Sequence, residues 1–79
     1  MDTYHGAERY WTTFFVDNED GCAGYRLHRE SAGNTDVVAQ TVFWDAVGQF
    51  SFSTFDDADV PVEIVEAAIA EAKRDIPTK

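Results

Sequence analysis

Cys22 and His28 are the residue types that could support nucleophilic catalysis, a thiol with an imidazole base to activate it. Their placement argues against that chemistry. Both belong to one alternating, β-prone stretch, Cys22-Ala23-Gly24-Tyr25-Arg26-Leu27-His28-Arg29-Glu30, and lie six residues apart. At ~3.3 Å per extended residue the two groups are roughly 20 Å apart, far outside hydrogen-bond reach. Only His5, near the N-terminus, could approach Cys22 from elsewhere. A core or turn cysteine, acting as a small hydrophobe, is the plainer reading.

The acidic run Asp17-Asn18-Glu19-Asp20-Gly21 has the composition of a calcium loop. An EF-hand needs Asp at its first position, Gly at its sixth and Glu at its twelfth. With Gly21 at the sixth, Val16 and Leu27 occupy the two anchoring positions, so the run reads as a solvated turn. Asp56, Asp57 and Asp59 form a second acidic group, but one cluster rarely supplies the ~6–8 oxygens that a hard cation takes. Negative charge ahead of a helix explains them better. Two histidines and one cysteine are too few for a four-ligand zinc site. There is no glycine-rich phosphate loop and no geometrically sensible Ser-His-Asp spacing. No catalytic residue, cofactor or metal site is therefore expected, and the chain is not expected to be an enzyme.

Arg26 and His28, beside Trp11 and Phe15, could make a stacking platform for nucleic-acid bases. Charge weighs against it. Fifteen acidic side chains face six Lys and Arg, giving a net charge of -9. A phosphate backbone is bound by basic groups that displace counterions, so direct nucleic-acid binding is disfavoured, as is an anionic membrane surface. The acidity fits solubility, adaptation to high salt, or engagement of a basic partner. The candidate acidic surface is Asp56, Asp57, Asp59, Glu63 and Glu66. A single cysteine cannot close an internal disulfide, which favours a reducing compartment or a chain that needs no bridge; a cytoplasmic setting is expected. Met1-Asp2-Thr3-Tyr4-His5 is polar and unlike a signal peptide, and no apolar run approaches the ~20 residues of a membrane span.

The elements that must position these residues are legible from periodicity. Val37 to Asp45 and Phe50 to Phe55 are rich in β-branched and aromatic residues and flank Asp45-Ala46-Val47-Gly48. A type I turn with Gly48 in a bulge predicts Asp45 opposite Gln49, Trp44 facing Phe50 and Val42 facing Phe52. Val38, Val42, Trp44, Phe50 and Phe52 then share one face, and Ala39, Thr41, Phe43, Ser51 and Ser53 the other. A helix follows, with Pro61 in its first turn, Asp59 or Val60 as cap and Pro77 beyond its end. Val62, Val65, Ala68, Ile69, Ala72 and Ile76 fall on one side at helical spacing and should cover the sheet. Upstream, 9–16 and 23–30 read as strands, with Asp17 opposite Cys22, Phe14 facing Tyr25 and Thr12 facing Leu27. Residues 31–36 read as a polar loop.

The expected fold is a small α+β domain: a four-stranded antiparallel meander, ββββα, over residues 9–76, with the 62–76 helix on one face. Residues 1–8 are expected to be a loose end and 77–79 a tail. Tyr10, Phe14, Val16, Tyr25 and Leu27 should face the helix. Trp11, Phe15, Arg26 and His28 should face away, beside Phe43. One helix covers only one face of a sheet, so either a curled sheet or the N-terminal segment with Tyr4 folds over these aromatics, or they form a candidate interface, the preferred reading. The expected function is a non-enzymatic protein-interaction module of unknown partner, self-associating through this face as a homodimer. The alternative is an acidic inhibitor that imitates nucleic acid before a basic DNA- or RNA-binding protein. In size and charge alone, the chain resembles small acidic α+β inhibitors of host defence encoded by phages. That resemblance covers no motif and transfers no residues.

Overall fold

The computed structural model describes residues 1–76; the expected tail 77–79 and the expected stop at Pro77 lie outside the described residues. Five strands and one helix follow in order: β1 (Asp2–His5), β2 (Glu8–Asp17), β3 (Cys22–Ser31), β4 (Asn34–Trp44), β5 (Gln49–Thr54) and α1 (Val62–Asp75). The strands form one antiparallel meander in chain order, with β1 and β5 at its edges. The chain is thus α+β as expected, with one strand more than expected.

The extra strand comes from the N-terminal segment. Residues 2–5 lack hydrophobic periodicity and read as a loose end, yet Gly6 takes a φ of +63° and a two-residue turn folds them back onto β2. Arg9 then clasps Asp2 with two hydrogen bonds, Nε to Oδ1 at 3.0 Å and Nη2 to Oδ2 at 2.5 Å. The polar stretch 31–36 also belongs to the ladder. Ala32 and Gly33, at φ +51° and +82°, make a tight hairpin turn whose twist matches the strands, so pairing runs on to Ser31 and Asn34.

The β2–β3 register is the expected one, with Asp17 opposite Cys22, Phe14 opposite Tyr25 and Thr12 opposite Leu27. The β4–β5 register differs by one residue. Trp44 pairs with Gln49, Phe43 with Phe50 and Thr41 with Phe52, because the loop holds four residues, Asp45 to Gly48, rather than three. Gly48 has a positive φ either way, and its N–H donates to the Trp44 carbonyl at 2.8 Å. The observed register buries Phe43 and leaves the Trp44 indole outside, where its N–H donates to Ser51 Oγ at 3.0 Å. Burying Trp44 instead would have required an internal acceptor for that N–H.

Pro61 is the N-cap of α1 rather than part of its first turn, and neither Asp59 nor Val60 caps it; the Pro61 carbonyl accepts from Ile64 and Val65. The buried spine of the helix is Ile64, Ala68 and Ala72, continued by Ile76. Val62, expected in the stripe, is 66 % exposed, and Ile64 takes its place. The two alanines let the helix sit close to the sheet. Two clusters result: Tyr10, Leu27, Val38, Ala39 and Ile64 near the start of the helix, and Phe43, Ala72 and Ile76 near its end. A bulge at Val38 turns both Val38 and Ala39 into the first cluster. Thr12 donates to Glu71 Oε1 at 2.5 Å, and the Met1 amino group contacts both, which ties β2 to the helix.

Candidate functional site

Strand alternation places Tyr4, Trp11, Phe15, Arg26, His28 and Trp44 on the face away from α1. Among the described residues no element covers this face. Its aromatics are instead layered with basic groups of the same sheet. Trp11 stacks on His28 with centroids 5.3 Å apart and planes 8° from parallel, and the Arg9 guanidinium lies 4.8 Å from the Trp11 ring centre. Asp2 fixes Arg9 in turn. One strand pair further along, the Arg26 guanidinium sits 4.2 Å over the Phe15 ring. The Thr13 hydroxyl and His28 Nε2 lie 2.8 Å apart.

Gly24 makes this packing possible. A Cβ there would stand 2.2 Å from the Thr41 carbonyl oxygen and 3.1 Å from Phe15 Cε1. The missing side chain lets β4 approach and lets Phe15 lie across the gap. Val42, opposite Gly24, is 2 % exposed although it faces away from the helix, so neighbours on its own face cover it. Trp44 and Val37 stay about one-third exposed or more, and Tyr4 is 70 % exposed.

Of the candidate interface residues, the structure brings Trp11, Phe15, Arg26 and His28 together. Phe43 lies on the other face, against Ala72 and Ile76, as a consequence of the four-residue loop. The candidate acidic residues Asp56, Asp57, Asp59, Glu63 and Glu66 are all exposed and lie around the start of α1, away from the aromatic face. Asp56 and Asp57 both have φ of +53° in the connection that leads to the helix. Sequence reasoning missed Arg9 and Gly24 and placed Trp44 on the helix side; it offered Tyr4 as a cover for this face, whereas Tyr4 lies on it, opposite Arg9. The available signals were a glycine inside a strand and an arginine two residues from Trp11 on the same face.

The electrostatics on this face disfavour Cys22 as a nucleophile. Burial pushes the Cys22 thiol up, and Asp17, Asp20 and Asp45 push it further, which disfavours the thiolate. Burial lowers the His28 imidazole, with Arg26 adding to the effect, so the ring is neutral at pH 7. Cys22 begins β3 and His28 lies six residues further along it. Among the described residues no group of three or more His, Cys, Asp or Glu side chains could hold a metal ion, and no helix is long and apolar enough to cross a membrane. No family model, no characterised protein and no solved structure matches this chain.

Proposed function

We propose that the protein is a non-enzymatic interaction module that binds through the open face of its sheet, with a second copy of itself as one partner. One observation carries this reading: Trp11, Phe15, Trp44 and Tyr4 share a face that no element among the described residues covers. Aromatic residues and arginine are the groups most enriched at protein interfaces, and here Trp11 and Phe15 already stack with Arg9 and Arg26. A two-fold pairing would bury the same patch on both subunits.

A second reading rests on the exposed acidic group around the start of α1, which would meet a basic, nucleic-acid-binding protein as a charge mimic. The two surfaces are separate, so variants address them independently. Pull-down from a lysate at low and moderate salt tests both. Capture through the aromatic face survives moderate salt and is lost in Trp11→Ala/Phe15→Ala. Capture through the acidic surface falls steeply with salt and is lost in Asp56→Asn/Asp57→Asn/Asp59→Asn. Turnover dependent on Cys22 or on the Asp56 group in an activity screen would overturn the non-enzymatic reading.

A further inference from the structure

The two edges of the sheet differ. β1 is four residues long and carries Asp2, which is ion-paired with Arg9. β5 is six residues long, Gln49-Phe50-Ser51-Phe52-Ser53-Thr54, with no charge and no proline. Short, charged or proline-bearing edges resist strand addition, and β5 has none of these protections. Its hydrogen-bonding direction follows from the ladder. Phe55 N–H donates to the Val38 carbonyl at 2.9 Å, so by antiparallel alternation Ser53, Ser51 and Gln49 also pair inward. The N–H and C=O groups of Phe50, Phe52 and Thr54 point outward. Among the described residues no backbone bond outside the sheet takes them up.

Beside this edge, between β5 and α1, runs a groove of about 390 Å³. Thr41, Phe50, Phe52, Ile69 and Lys73 are among the residues that line it. Among the described residues Lys73 has no salt-bridge partner, in a chain of net charge -9. Ile69 and Lys73 are one helical turn apart, a rise of about 6 Å. Alternate residues of an added strand are spaced by about 6.7 Å, so two successive groove-facing side chains would meet these two residues in turn.

We propose that β5 and this groove bind an extended peptide segment of another protein. The segment adds as a sixth strand and pairs with the outward groups of Phe50, Phe52 and Thr54. One apolar side chain seats among Phe50, Phe52 and Ile69, and an Asp or Glu two residues away meets Lys73. The recognised pattern is apolar, any residue, acidic, or the reverse order for the opposite strand direction. This site lies at the sheet edge on the helix side, so it stands or falls independently of the open aromatic face.

The test selects phage-displayed random ten-residue peptides on the intact chain and follows the enriched peptide, made synthetically, by amide hydrogen exchange. The enriched peptides should share an apolar and an acidic residue at a spacing of two. Binding should slow exchange at Phe50, Phe52 and Thr54 by about tenfold or more. Lys73→Glu, an exposed change, should weaken binding by about tenfold while Lys73→Arg retains it. Three outcomes overturn the proposal: no enrichment, enriched peptides that leave those three amides unprotected, or affinity indifferent to Lys73→Glu. Protection of the same amides in the free chain as its concentration rises would also overturn it, by assigning the edge to a second copy.

Discussion

On the α1 side of the sheet, Tyr10, Leu27, Ala39 and Ile64 are each 4 % exposed or less. On the opposite side Val42 is equally closed, but Trp11 and Phe15 are only half-buried and lie beneath Arg9 and Arg26. The helix shields only part of its own side: Phe14 and Val16, expected to face it, lie on that side but beyond its reach and stay 54 % and 56 % exposed. A helix that packs through Ile64, Ala68 and Ala72 is bound to the fold. A guanidinium over an exposed ring contributes only ~0.5–1 kcal/mol and can be displaced. The first face holds the molecule together; the second is stacked yet accessible. That difference is the physical basis for assigning contact to the open face.

The largest effect expected from this contrast is Ile64→Asp. It places an unpaired charge between Tyr10, Leu27 and Val38, at a cost comparable to the ~5–15 kcal/mol that stabilises a domain. The variant should show no cooperative unfolding transition by circular dichroism, whereas Trp11→Asp should still fold. Ile69→Asp should cost less than Ile64→Asp, because Ile69 lines the open groove and is only half-buried. Equal loss in Trp11→Asp and Ile64→Asp would erase the distinction between the faces.

Gly24→Ala comes next. Its Cβ meets the Thr41 carbonyl, which is backbone and cannot swing aside, so β3 and β4 must separate. A loss of about 2–3 kcal/mol in chemical denaturation is expected, of the order of overpacking a core. A smaller effect follows from His28. Its folded pKa lies below the free value of 6.5, so below pH 6.5 the unfolded chain takes up the proton first. Stability should fall as the pH drops from 6.5 toward the folded value. His28→Phe, which keeps the stack on Trp11, should remove that part of the dependence. Asp2 and Asp75 are depressed by Arg9 and Arg74 respectively and lose their contributions only as the pH falls below the usual carboxylate value of about 4. Arg26→Ala should be the mildest change, within about 1 kcal/mol.

Much of this contrast was legible in the sequence. The first long hairpin reads in register because Asp17 and Gly21 bracket its loop, and alternation alone separates Trp11 and Phe15 from Tyr10 and Leu27. The second hairpin misleads because Gly48 suits a three-residue and a four-residue loop equally, and one residue exchanges the faces of Phe43 and Trp44. The indole N–H decides between them, through Ser51, and that is a tertiary constraint. The first β-strand carries no periodicity of its own; its pairing with β2 and the Asp2–Arg9 bonds define it. The layering of Arg9 and Arg26 over the rings follows from cross-strand geometry, which composition does not encode.

Both tryptophans of the chain, Trp11 and Trp44, lie on the open face, so their fluorescence reports on that face and no other. The most direct test combines it with light scattering across concentration and salt. If the open face is the contact surface, the mass should rise from 8.9 kDa toward twice that value with concentration, and the emission should shift to the blue in parallel. The association should tighten with salt, because a Debye length of ~8 Å at physiological ionic strength screens the repulsion between two acidic chains. It should vanish in Trp11→Ala/Phe15→Ala. A chain that stays monomeric at high concentration and high salt, or a dimer that forms with unchanged emission and survives the double substitution, would contradict the assignment.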